Sequence, residues 1–171
     1  MSSVRDPKSA IRNVVVLGIG NILMRDEGVG VRLMEAVRDS RHWPDDIEFI
    51  DGGVGGLNLL SVIETAPALV VFDAAEMRLP PGTHRILAPQ QLAPESGPSL
   101  SLHHMPFVQT LELAERFFRR PAQIAILAVQ PEVVDYGRQL SPALSAAMPA
   151  LVAAASDLIQ RQHDVMLRRE T

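Results

Sequence analysis

Apolar residues follow two rhythms along this chain. Val14, Val15, Val16 and Leu17 run together without a polar break and stop at Gly18, the pattern of a short strand buried on both faces over 13–18. From about Glu27 the beat changes. Val29, Leu33 and Val37 recur every fourth position while Arg32, Arg38 and Asp39 take the other side, which predicts an amphipathic helix. The alternation then repeats: a strand over Ile47 to Asp51 closed by Gly52 and Gly53, a helix over Leu57 to Thr65, and a near-continuous apolar strand over Ala68 to Ala75. Beyond a Pro-Pro-Gly turn lies a short strand over Thr83 to Leu87. Pro89 to Pro106 is rich in Pro, Ser and Gly and predicts a long surface loop, a feature more often functional than idle in a compact domain. A helix over Phe107 to Phe118 and a buried strand over Ala122 to Pro131 follow. The last helix, Ser141 to His163, carries Leu144, Met148, Leu151, Val152, Ala155, Leu158 and Ile159 on one stripe.

Strands alternating with helices predict an α/β fold: a three-layer sandwich with a mostly parallel twisted sheet flanked by helices on both faces. Ligands of such folds bind outside the carboxyl ends of the strands. With 171 residues, 47% of them hydrophobic, the chain suits a single core. Neither an internal repeat nor a linker divides it, so residues 1–171 read as one domain, with a polar leader over 1–12 and an α/β core over 13–163. Net charge is −4 and the arginines are scattered, which argues against nucleic acid as a partner. There is no cysteine, so thiolate chemistry is excluded. The leader has no apolar stretch and no later segment approaches an uninterrupted membrane span; a cytoplasmic monomer without membrane contact is expected.

Candidate chemistry gathers where the strands end. Asp26 and Glu27 follow the first, Asp51 ends the second and Asp73 ends the third, and in a parallel sheet these ends share one edge. Asp26 and Glu27 also suit a helix start, where acids meet the positive end of the dipole, and Asp51 suits a turn before two glycines. Asp73 is different, because it interrupts an apolar run and a buried carboxylate needs a cation or donors. Of the histidines, His42 and His163 read as surface residues and His84 as a strand start. His103 and His104 stand together in the long loop, and carboxylates with an imidazole make a site suited to nickel, zinc, cobalt or manganese. The G-x-S-x-G, H-E-x-x-H and Walker loops are missing. The turn "GIGNIL" has Leu23 where a dinucleotide fingerprint needs its third glycine. Two unit charges about 4 Å apart at an effective dielectric near 20 repel by roughly 4 kcal/mol, so Asp26 and Glu27 oppose a pyrophosphate and favour a cation.

The runs "GIGNILMRDEGVGVR" (18–32), "DGGVGGLNLL" (51–60), "VVFDAA" (70–75) and "SLHHM" (101–105), in that order, resemble the [NiFe]-hydrogenase maturation endopeptidases. The resemblance spans nearly the whole chain. It implies an α/β sandwich that clips a short C-terminal extension from the hydrogenase large subunit precursor once nickel has been inserted. It further implies that Glu27, Asp73 and His103 engage nickel, with cadmium or zinc able to substitute, and that Asp51 takes part in processing. His104 doubles His103 in this chain. Without cysteine or a serine triad, attack by water is the expected chemistry; the metal either polarises the scissile carbonyl or activates that water with Asp51 as base, or nickel in the precursor serves only as a recognition handle, the reading favoured by a substrate that brings its own metal. The rival expectation from another class is a non-proteolytic nickel-binding chaperone, or a nucleotide-binding α/β module whose acids are only caps.

Overall fold

A computed structural model describes residues 13–92, 105–118 and 120–169. Among these residues five strands form one sheet: β1 (Val14–Gly18), β2 (Ile47–Asp51), β3 (Ala68–Ala74), β4 (His84–Leu87) and β5 (Gln123–Val129), in the order β2-β1-β3-β5-β4. β1 pairs in parallel with β2 and β3, β3 pairs in parallel with β5, and β4 alone runs antiparallel, along the edge of β5. The expected three-layer, mostly parallel sandwich is what forms.

Side-chain alternation sorts the β-branched runs between two cores. Val14 and Val16 of β1, with Val70 and Phe72 of β3, pack under α1 (Val29–Ser40) and α4 (Pro142–Arg169). Val15 and Leu17, with Leu69 and Val71, pack instead under α2 (Leu60–Thr65) and α3 (Met105–Phe117), through Ile63, Phe107 and Leu111. The runs lack polar alternation because both faces of the sheet are covered.

Helix α4 extends beyond the predicted His163 to Arg169 and runs through Pro149, which is exposed. Contrary to the expectation that no segment reaches span length, its best 18-residue window has a mean hydropathy of 1.5, long and apolar enough by composition to cross a membrane. In this fold Leu144, Leu151, Ala155, Leu158 and Ile159 of that helix are buried in the core. His163 is a second correction. It is buried rather than exposed, its Nε2 lying 2.9 Å from Asp46 Oδ2, to which Asn13 Nδ2 also donates at 2.7 Å. Burial pushes the Asp46 carboxyl up, yet these two donors hold it below its ordinary value. A polar clamp thus closes the amino-terminal edge of the sheet, far from the acids.

Candidate active site

The chain leaves β1, places β2 on one side of it and then crosses back to place β3 on the other, so the sheet's switch point lies between the carboxyl ends of β1 and β3. Two glycines bring a helical turn down onto that point. Gly20 has φ +138°, and a side-chain carbon there would overlap the Glu27 carbonyl oxygen. A side-chain carbon on Gly30 would overlap the carbonyl oxygens of both Ile19 and Phe72. The backbone between them turns tightly: Asn21 Oδ1 accepts from Leu23 N at 3.0 Å and Asn21 O accepts from Met24 N at 2.9 Å. A 3-10 turn, Arg25–Gly28, then leads into α1. The glycine pattern therefore serves close packing of helix on sheet.

Glu27 is half-buried on that turn, and Asp73 is buried one residue from the end of β3. Asp73 shares the strand face of Leu69 and Val71, the face covered by α2 and α3. Burial pushes its carboxyl well above the ordinary range, the Ala74 N–H at 2.8 Å opposes this, and the charge of Glu27 adds to the upward push. Glu27 thus lies within electrostatic reach of Asp73, whose burial makes its ionisation costly.

Asp51 stands apart from them. It is exposed, its Oδ1 accepts from Gly53 N at 2.8 Å, and it falls in line with Ile47 and Phe49 on the α1/α4 side of the sheet. Strand β1 lies between it and β3, so two strand spacings, roughly 10 Å, separate Asp51 from the Asp73 strand. His103 and His104 lie outside the described residues. Helix α3, which begins at Met105, ends close to the start of β5, so it runs back along the sheet and its first turn lies toward the carboxyl edge; Phe107 packs there with Leu59. Among the described residues no three His, Asp or Glu side chains form a cluster able to hold a metal.

Asp26 was grouped with Glu27 as a helix-start acid, but the structure separates their tasks. Its side chain caps neither the 3-10 turn nor α1, and it is fully buried. Oδ2 accepts from the backbone N–H groups of Glu132 and Val133, both at 2.9 Å, and Oδ1 accepts from Ser141 N at 2.7 Å. Burial raises its pKa, but these donors outweigh burial and hold the carboxyl below its ordinary value. Gln130, also overlooked, is buried and braces the segment after Asp73: its Oε1 accepts from Met77 N at 2.7 Å and its Nε2 donates to Glu76 Oε2 at 3.0 Å. Adjacent acids on a tight turn diverge in direction, a signal that could have marked one of the pair as inward-pointing.

The class the fold and site define is thus an α/β sandwich with two carboxylates near its switch point, one of them desolvated. Known proteins narrow the class. The family profile described as hydrogenase maturation protease matches residues 31–158. The hydrogenase expression/formation protein HoxM of Cupriavidus necator is 37% identical over 150 residues, covering 86% of this chain and 74% of the relative. The hydrogenase 2 maturation protease of Escherichia coli is 31% identical over 140 residues, covering 81% and 85%. The solved hydrogenase maturating endopeptidase HybD from E. coli superposes with a TM-score of 0.76 at 28% identity, covering 87% of this chain and 93% of that one. The chain belongs to the hydrogenase maturation protease family, and is a peptide-bond hydrolase of that kind.

Proposed function

We propose that the protein removes a short C-terminal extension from the [NiFe]-hydrogenase large subunit precursor after nickel insertion, and that it recognises the nickel the precursor already carries. The observation that carries this reading is the buried Asp73 with Glu27 beside it. A divalent cation offsets the repulsion between two neighbouring carboxylates, and the more so where one of them is desolvated. Glu27 and Asp73, completed by His103, make an oxygen and nitrogen set suited to nickel, with cadmium or zinc as stand-ins. Apolar side chains exposed in the segments that follow β2 and β5, among them Leu57 at 68% and Tyr136 at 86%, suit a protein substrate.

Asp51, exposed at the same edge but off the Glu27–Asp73 pair, takes the role of base. Its Oδ1 is engaged by Gly53 N–H, and its carboxylate orients a water and accepts the proton as that water attacks the scissile carbonyl. Holding the tail by its metal makes cleavage conditional on loading. The decisive assay incubates the protein with precursor prepared with and without nickel and follows the C-terminal extension by mass spectrometry. Cleavage of the loaded form alone is expected. Equal cleavage of both, lost when the enzyme itself is stripped of metal, would replace the handle with a resident catalytic metal. A precursor of unchanged length would favour a non-proteolytic carrier.

A further inference from the structure

Asp26 is fully buried, and the reaction just proposed gives it no task. It precedes Glu27 directly, and its three acceptor contacts all go to one segment, the connection between β5 and α4. Two of these contacts are at 132–133 and the third is at 141, so one carboxylate grips the connection near both ends. The third donor, Ser141, also sets the start of α4, its Oγ accepting from Leu144 N at 3.3 Å. Further backbone bonds join the same two segments: Arg25 N to Gly137 O and Gly137 N to Leu23 O, each at 2.9 Å, and Asp26 N to Val133 O at 3.2 Å. The Arg32 guanidinium adds a contact to Arg138 O.

The turn needs this support. Arg25 has φ +49°, a left-handed conformation that a non-glycine residue holds only where its surroundings enforce it. We infer that Asp26 is a positioning residue, which anchors the 3-10 turn to the 132–141 connection and so holds Glu27 beside Asp73. A carboxylate fits this task because its oxygens only accept, whereas an amide of the same size presents an NH2 group to one of the backbone donors. The consequence for cleavage rests on the processing reading above; the geometry does not.

The test compares Asp26→Asn with Asp46→Asn, which breaks the clamp at the opposite edge of the sheet. Both are assayed on nickel-loaded precursor at a temperature where circular dichroism shows them folded. For Asp26→Asn, kcat/KM is expected to fall on the order of tenfold to a hundredfold, the scale of a small misplacement in a site. A crystal structure of this variant should show Glu27 displaced and Asp73 in place. Asp46→Asn should melt earlier yet keep its kcat and KM. Should Asp26→Asn fail to fold, Glu132→Pro deletes a single donor from an exposed position and should give a smaller loss of the same kind. Wild-type kcat and KM in the folded variant, or an unmoved Glu27, overturns the inference. If the wild type leaves every precursor uncut, the processing reading fails, and the position of Glu27 in the variant still decides the role of Asp26.

Discussion

Gly30→Ala adds one methyl group at the second residue of α1 and sets two effects against each other. In an exposed helix the change would stabilise by roughly 0.5–1 kcal/mol, since alanine restricts the unfolded chain. Here the new carbon would overlap the carbonyl oxygens of Ile19 and Phe72, and neither swings aside freely, because Phe72 lies within β3 and Ile19, just past β1, is tied to it by a bond from Ile19 N to Phe72 O at 2.9 Å. Relief requires the first turn of α1 to withdraw from the sheet by about 1 Å to restore an ordinary contact distance. That movement loosens Val29, Leu33 and Met34, all fully buried. Overpacking costs about 1–3 kcal/mol, and a clash with two backbone oxygens belongs in the upper half of that range, about 2–3 kcal/mol, so the net loss is roughly 1–2.5 kcal/mol. For a domain of this size that lowers the melting temperature by roughly 2–10 °C. The functional loss should be larger, because the helix carries Glu27 with it, and a misplacement of about 1 Å in a site can cost on the order of a hundredfold in rate. Differential scanning calorimetry with a processing assay on the same sample tests both parts. A variant that melts at or above the wild-type temperature would refute the packing argument; one that melts lower but cleaves normally would refute the link to Glu27.

Asp73→Asn should abolish processing and yet stabilise the fold at neutral pH. The folded pKa of Asp73 is raised, so above the unfolded value of about 3.9 the unfolded chain releases its proton more readily, and rising pH favours unfolding until the folded group has ionised too. The variant escapes this, so its advantage in melting temperature should shrink as pH falls toward about 4; a variant less stable at pH 7 would contradict the assignment. Asp26 behaves oppositely. With its folded pKa lowered, its contribution is complete above the unfolded value and is lost as pH falls through the folded one. Hydrogen exchange at the amides of Glu132, Val133 and Ser141 should accordingly stay protected at pH 4 and open only in stronger acid, and early opening would count against the three-donor account. His103→Ala should stop cleavage and His104→Ala only impair it, since the resemblance puts the ligand at His103; the reverse ranking would move the ligand by one residue.

The strands and their layer order could be read from the chain because burial on both faces leaves unbroken apolar runs such as Val14 to Leu17 and Leu69 to Phe72, which few other contexts tolerate. Asp73 was legible for the same reason: a charge inside such a run has no bland explanation. Periodicity is silent, in contrast, on contacts between residues far apart. Asp26 reads as a helix-start acid because its donors lie more than a hundred positions away, and His163 reads as a surface residue because Asp46, its partner, sits at a distant strand start. Asp51 falls between these cases. Its turn before Gly52 and Gly53 was readable, whereas its separation from Asp73 by a whole strand depends on the strand order, which no local pattern encodes.

The contacts of Asp26 also impose an order on the birth of the molecule. Residues 26 and 141 are 115 positions apart, and the bonds to 132 and 133 span 106 and 107. During synthesis Glu27 emerges early, but the segment that steadies its turn leaves the ribosome only when most of the chain has been made. Loop closure over such distances is also slow relative to local helix formation. A partly made or truncated copy ending before Glu132 therefore has its strands and its acids but lacks the anchor that sets them, and the anchor is complete only when Ser141, at the start of the final helix, has been added.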